Sequence, residues 1–362
     1  TAQGVLLEGA RTNLAQYSDD LSNAVWTKTR TSISANATTA PDGTTTADKV
    51  VEDTSTNTHV IYQQQTSATA QYTLSVYAKS AGRTFARLEM SDNATGSVYG
   101  FFNLSTCSTG GTSNGGSWSG TTNAVSSAGD GWCRISVTAT RGAGTATVAF
   151  IQLANAISSI SYTGDGTSGI YIWGAQLEAG AFASSYIPTT TDPVARVATS
   201  LTRSWNFPSN NFSGQIKVRP QFAYNDSKGG YYNIVIAEYN TDNYFRIAVN
   251  PTNDVIYVTR RVAGTSAEAA TSSGELNYAN GELLNIRFRA DTTGVYLWVD
   301  DSNSSTVDSC TSADCKTSFS NRPTEIRFLS AAGSASTLLP GVVESLTIYN
   351  EAKSDAFLEA LE

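Results

Sequence analysis

The stretch YTLSVYAK (72–79) sets Tyr72, Leu74, Val76 and Ala78 on one side of an extended chain and Thr73, Ser75, Tyr77 and Lys79 on the other. A period of two marks a strand with one buried and one wet face, because successive side chains of a strand point to opposite sides. FARLEM (85–90) repeats it, separating Ala86, Leu88 and Met90 from Phe85, Arg87 and Glu89. VYGFFNL (98–104) separates Val98, Gly100, Phe102 and Leu104 from Tyr99, Phe101 and Asn103. CRISVTA, ATVAFIQLA and GIYIWGAQL continue the pattern. After PTTTDPVARVATS it restarts in YYNIVIAEY, YFRIAVN, DVIYVTRRV, LLNIRFRA, VYLWVDD, TEIRFLS and ESLTIYN, with turn clusters such as NTDN, NPTND and DTTG between several of them,. Only SDAFLEALE reads as a helix: Ser354 is placed to cap, Asp355 suits the first turn, and Phe357, Leu358 and Leu361 share a face,. Many short strands and one late helix predict an all-β chain of two tandem antiparallel β-sandwiches with a short C-terminal helix.

Length and composition agree with that. At 362 residues the chain is long for one domain and suits two,. A hydrophobic share of 40% supports packed cores, and a charged share of only 15% fits strands whose outer faces carry hydroxyls,. The net charge of −8 lacks the basic footprint of a nucleic-acid binder, so nucleic acid is not an expected partner,. No apolar run reaches the ~18 residues that span a bilayer, so no membrane insertion is expected. The opening TAQGVLLEGARTNL also lacks the charged and apolar blocks of a signal peptide,. Cys107 ends the apolar GFFNLSTC, Cys133 lies in GWCRISV on the face of Ile135 and Val137, and Cys310 and Cys315 bracket CTSADC. Either one disulfide per domain, or two buried free thiols and two loop thiols, fits this arrangement. No histidine lies near any of the four, which argues against zinc,.

Several runs carry a family resemblance. GVLLEGARTNLAQYS (4–18), APDGTTTADKVVED (40–53), YTLSVYAKSAGRT (72–84), DGWCRIS (130–136) and IWGAQLEAGAFASSYIPTT (172–190) occur in that order. Together they resemble a domain of bacteriophage tail, spike and head-fibre proteins, itself similar to the jelly-roll carbohydrate-binding modules of families four, nine and twenty-two. The resemblance implies a jelly roll over 1–190 that closes with IWGAQLEAG, then a linker at 191–200. Residues 201–362 resemble the concanavalin A-like, laminin-G-like jelly rolls. The carriers there are the paired strands of 231–262, GELLNIRFRADTTGVYLWVDDS (281–302) and VESLTIYNEAKSDAFLEAL (343–361). In the resembling phage proteins GVLLEGARTNL follows other material, which points to a fragment of a longer protein. The cellulose- and xylan-binding relatives often carry a calcium-binding aspartate in the closing strand. Here the matching positions are Trp173 and Gly174, which offer no carboxylate. Asp19, Asp20 and Glu178 remain as oxygen donors, but no metal and no other cofactor is assigned.

Catalytic residue types are scarce. His59 is the only histidine, which leaves room for one Ser-His-Asp constellation at most,. The second half lacks both the E-x-D-x-E strand of laminarinase-like members and the Gln-Ile-His strand of alginate lyases of the concanavalin A group. Glu89, Glu238 and Glu282 are candidate glycosidase carboxylates, and no P-loop or dinucleotide fingerprint is present,. The chain is therefore expected not to be an enzyme. Sugar binding needs aromatic faces for ring C–H groups and polar groups for hydroxyls. Tyr77, Lys79, Phe85, Arg87, Glu89, Tyr99, Phe101 and Asn103 all lie opposite the aliphatic side of their strands, and Gln63 and Gln65 are candidates to extend them into one wall. Tyr296 and Trp298 form a second candidate platform. The expectation is a non-catalytic module of a phage tail, spike or fibre that binds host-surface or environmental polysaccharide at the virion surface or outside the cell. Its expected partners are that glycan and other virion proteins, with self-association left open. The alternatives are a structural fibre or decoration spacer whose aromatic faces are subunit contacts, and a polysaccharide depolymerase built from scattered carboxylates.

Overall fold

The structure, a computed structural model, describes residues 5–8, 10–92, 96–144, 146–197, 201–204, 211–220, 232–250, 255–270, 282–300, 305–310, 325–328, 341–349 and 351–361. The fold is all-β, built of antiparallel sandwiches, with one short helix among the described residues, near the C-terminus. Two compact units form: Arg11–Arg196, and Thr1–Ala10 together with Val197–Glu362.

In the Arg11–Arg196 unit, sheet I runs in the order Ser108–Asn114, Ser97–Asn103, Phe85–Ser91, Ala146–Ala154, Val60–Thr66, Thr27–Thr29. Sheet II runs Trp118–Ser127, Cys133–Arg141, Gln71–Ala81, Gly169–Ala179, Ala47–Glu52, Thr31–Thr38. The chain changes sheet repeatedly, as a jelly roll does. Between the sheets lies one apolar core in which Leu74, Val76 and Ala78 of sheet II join Ala86, Leu88 and Met90 of sheet I. These are the aliphatic sides that the alternation picks out. Trp26 and Trp118 are buried in the same core, whereas Trp205 lies outside the described residues.

A disulfide joins Cys107, in the turn after Ser97–Asn103, to Cys133 at the start of the sheet II strand Cys133–Arg141. It closes a loop with a sequence separation of 26, which by loop-closure entropy stabilises the fold by about 3.5 kcal/mol,. Cys310 is also disulfide-bonded, and Cys315 lies outside the described residues.

In the other unit, sheet III runs Val5–Leu7, Gly341–Tyr349, Phe212–Pro220, Leu284–Ala290, Val295–Asp300, Ser305–Cys310. Sheet IV runs Leu201–Ser204, Glu325–Phe328, Tyr232–Asn240, Asn243–Asn250, Val255–Val262, Thr265–Ala270. Their core includes Ile216, Phe245, Ile247, Val258, Ile286, Phe288 and Leu297. The helix Asp355–Glu359 is capped as the sequence predicts, with the Ser354 side chain accepting from Phe357 N–H. Leu358 is buried, but Phe357 is exposed and meets Tyr349 edge-on, so the two do not share a buried face.

The boundaries differ from 1–190, 191–200 and 201–362. Val5–Leu7 pairs with Gly341–Val343 and so completes sheet III rather than the first sandwich. Val194–Arg196 pairs with Arg11–Asn13, so three residues of the expected linker are strand. Pairing partners this far apart in sequence leave no local trace, which is why the alternation could not place them.

Candidate functional site

The outer face of sheet I is organised in two cross-strand rows. Register sets Tyr99 opposite Glu89, Glu89 opposite Phe150, and Phe150 opposite Tyr62. The next row reads Phe101, Arg87, Gln152, Val60. Directly opposed residues lie ~5 Å apart, so each row is a continuous strip of touching side chains. The middle is polar, formed by Arg87, Glu89 and Gln152. Tyr99 and Phe101 flank it on one side, Phe150 and Tyr62 on the other, with about 10 Å between the walls at two strand spacings.

Contacts within the centre are tight. Arg87 is ion-paired with Glu89, and Gln152 Nε2 donates to the same Glu89 carboxylate at 2.8 Å. The guanidinium lies 4.0 Å from the centroid of Tyr99 and 5.8 Å from that of Phe101. Stacking on these rings fixes a long side chain that would otherwise lose entropy on binding. Tyr99 and Phe101 meet edge-on, and Tyr62 and Phe150 sit with ring centroids 5.0 Å apart. Phe85 and Asn103 form the next cross-strand pair on this face. Asn103 Oδ1 accepts from Ser105 N–H at 2.9 Å, which gives that amide a turn-forming role,.

Phe85, Arg87, Glu89, Tyr99 and Asn103 therefore come together, but Tyr77 and Lys79 do not join them. Both lie on Gln71–Ala81, a strand of sheet II, so the single wall expected from the sequence is split between opposite sides of the sandwich. Gln63 and Gln65 are buried on the side of Ile61. The Gln63 amide exchanges hydrogen bonds with Gln16 N–H (2.9 Å) and Gln16 C=O (3.0 Å). Tyr62, Phe150 and Gln152, which sequence reasoning passed over, take the places those glutamines were expected to fill.

The outer face of sheet II is closed by its own chain. Trp132 and Trp173 are only 2% and 6% exposed and pack with Ala40, Ala47, Tyr77 and Tyr186. The Trp132 indole N–H donates to Thr39 C=O at 3.2 Å, and that of Trp173 to Thr46 Oγ1 at 3.1 Å. The 39–46 loop is thus pinned over the sheet. From the other direction the segment after Gly169–Ala179 folds back. Ile187 N–H donates to Gln176 Oε1 at 2.8 Å, Ser184 Oγ to Glu178 at 2.7 Å, and Asn13 Nδ2 to Ile187 C=O at 2.9 Å. Gly174 makes this return compatible with the sheet. Its φ of 64° suits glycine, and a Cβ there would press within 3.2 Å of Tyr77 and 3.3 Å of Tyr186,.

Trp298 has a similar fate on sheet III. It points away from the aliphatic core but is 2% exposed. Its face neighbours hold the C-terminal segment: Arg287 donates to Leu358 C=O at 3.1 Å, and Asn285 Nδ2 to Leu361 C=O at 3.2 Å. Tyr296 is half-buried beneath the Arg289 guanidinium, 3.9 Å from its ring centroid.

Several other titratable groups are held by local partners. His59 is fully buried, stacks 4.8 Å from Tyr162 and lies 3.3 Å from Asp53 Oδ1. Glu52 is buried nearby, where it accepts from Arg83 Nε (2.7 Å), Tyr162 OH (2.7 Å) and Asp165 N–H (2.9 Å). Burial pushes its carboxyl up, but Arg83, Tyr162 and the Asp165 amide together bring it below the ordinary range,. Asp48 shows the opposite balance. Burial first, and the nearby Asp20 and Asp19 after it, hold its carboxyl above the ordinary range against hydrogen bonds from Asn36 and Leu21 N–H. Glu178 is fully buried and is bound by Gln176 and Ser184, with Arg11 at 3.5 Å. Among the described residues no three His, Cys, Asp or Glu side chains come together as a metal-holding group. No helix among them is long and apolar enough to cross a membrane.

No protein-family model matches the chain, and no curated protein matches it. Solved structures show remote likenesses. The enzymatically active domain of tailspike protein 2 from bacteriophage CBA120 aligns over 43% of this chain at 12% identity, with a TM-score of 0.34. Only 24% of that chain is covered, so the chain spans under a quarter of its length. A pentraxin from Limulus polyphemus aligns over 43% of this chain and 71% of its own, at 11% identity and a TM-score of 0.31. The LG1–3 region of the laminin α2 chain aligns over 82% of this chain and 66% of its own, at 9% identity and a TM-score of 0.31. Likenesses this remote carry no argument about function.

Proposed function

We propose that the Arg11–Arg196 sandwich binds a polysaccharide on the outer face of sheet I, as a non-catalytic module of a phage tail, spike or fibre. One observation carries the binding reading: a polar centre of Arg87, Glu89 and Gln152 set between two aromatic walls on the outer face of sheet I, where the Arg87 and Glu89 side chains each keep 13% exposure. Pyranose rings present apolar C–H faces and equatorial hydroxyls, which match such walls and such a centre. The phage assignment rests on the sequence resemblance of residues 4–190. The absence of catalysis is part of the proposal, since Glu89 is held by Arg87 and Gln152 and His59 is buried.

The test is an array of bacterial surface polysaccharides probed with the purified chain and with the Tyr62→Ala/Arg87→Ala double variant. The expected result is a specific signal that the double variant loses while its melting transition stays cooperative. A blank array with the chain folded and monodisperse would move the assignment to a structural spacer.

A further inference from the structure

We infer that the outer face of sheet I is built for uncharged glycans, engaged through their hydroxyls, and that it discriminates against acidic polysaccharides; this rests on the glycan-binding reading. The first ground is charge. In the two rows across sheet I the charged side chains are Arg87 and Glu89, which neutralise one another on neighbouring positions of one strand face. No unspent cation is left there for a uronate or a phosphate. The chain's net charge of −8 adds a long-range penalty for polyanions,.

The second ground is hydrogen-bond valence. A carboxylate only accepts, so the Gln152 amide must turn its NH2 toward Glu89, and Gln152 Oε1 is left buried with no partner,. Arg87 Nε is likewise a buried donor with no partner. Gln152 itself is 6% exposed, so these vacancies are not met by bulk water,. The centre therefore lacks one donor and one acceptor. A sugar hydroxyl supplies both functions in a single group. A carboxylate or sulfate supplies acceptors alone: it would leave Gln152 Oε1 unmet and set a second anion beside Glu89. Both vacant atoms are covered while Arg87 stacks on Tyr99, so binding of a hydroxyl there requires the guanidinium to move off the ring.

The experiment measures binding of the full chain to neutral polysaccharides (glucan, mannan, galactan) and to uronates (alginate, hyaluronate), at low and at high salt. The expected result is binding to a neutral polymer with affinity changing less than about twofold across the salt range, because no ion pair with the ligand is screened. Glu89→Gln should weaken that binding about tenfold, the equivalent of one hydrogen-bond contact, and should give salt-suppressible binding to a uronate through the unmasked Arg87. Wild-type binding to a uronate that falls with salt would overturn this inference and leave the glycan reading standing. Binding to neither class would overturn both. The salt arm is read on the wild type, so it decides even if Glu89→Gln proves unstable.

Discussion

The two outer faces of the Arg11–Arg196 sandwich start from the same ingredients and end differently. Each carries aromatic rings and an arginine stacked on one of them: Arg87 over Tyr99 on sheet I, Arg134 over Tyr77 on sheet II. On sheet II every large ring is used by the chain itself. Indole N–H groups hold the 39–46 loop, and Tyr186 of the returning segment lies 4.5 Å from Trp173. On sheet I Tyr62, Tyr99 and Phe150 stay half-buried, Phe101 is buried, and Arg87 stacks on Tyr99. An outward aromatic therefore identifies a binding face only when its polar edge has not been claimed by the chain's own backbone. Trp298 on sheet III repeats the lesson, since the C-terminal segment is held over its face.

The largest test of this contrast is Trp132→Ala. It should lower the unfolding free energy of the Arg11–Arg196 unit by ~3–5 kcal/mol, as for a large buried ring removed to a cavity, and leave glycan affinity unchanged. Chemical denaturation and binding isotherms on the same preparation check both. A loss of affinity without loss of stability would reverse the roles of the faces.

The second test compares two Arg–Glu pairs. Glu52 and Arg83 pair beside Tyr162, whereas Glu89 and Arg87 sit on the outer face of sheet I. Glu52→Gln should cost about 3 kcal/mol at neutral pH, the low end for breaking a buried pair because Arg83 retains 21% side-chain exposure,. Because the folded carboxyl of Glu52 lies below its ordinary value of 4.5, the stabilisation is complete above that value and is lost as pH falls through the folded value,. The gap between wild type and Glu52→Gln in urea midpoints should thus close on acidification. A gap that widened would refute the pairing. Asp48, held above its ordinary range, works the other way: its cost is present at neutral pH and disappears as pH falls,.

The smallest effect is expected from Ser354→Ala. Loss of the cap on Asp355–Glu359 should cost about 1 kcal/mol, and hydrogen exchange at Phe357 N–H should report it before the sheets respond,. An unchanged exchange rate would mean that sheet contacts such as those of Arg287 and Asn285, rather than the cap, hold the segment.

Strand phase was legible in the sequence, and strand neighbourhood was not. Alternation separated Ala86, Leu88 and Met90 from Arg87 and Glu89 correctly, because local geometry alone sets that phase,. It carried no information on which sheet Tyr77 joins, since that depends on pairing with Cys133–Arg141 and Gly169–Ala179. Some of what was missed was available. Ile61 is in phase with Gln63 and Gln65, which places both amides inward and Tyr62 outward, and ATVAFIQLA likewise turns Phe150 and Gln152 away from Ala149, Ile151 and Leu153. The closing of sheet II was out of reach, because it depends on indole donors meeting carbonyl and hydroxyl groups about a hundred residues away.

The pairing of Arg11 with Arg196 has a consequence for exchange of parts. The two ends of this sandwich leave it side by side, about 5 Å apart across one antiparallel pair. To the sandwich that owns Val5–Leu7 and Gly341–Tyr349, the whole of Arg11–Arg196 is then a loop with closely spaced feet. A loop of that kind can be replaced by any folded module with equally close termini, without asking the host strands to move. In chain terms, Arg11–Arg196 is an insertion into the other unit, entered and left through one strand pair.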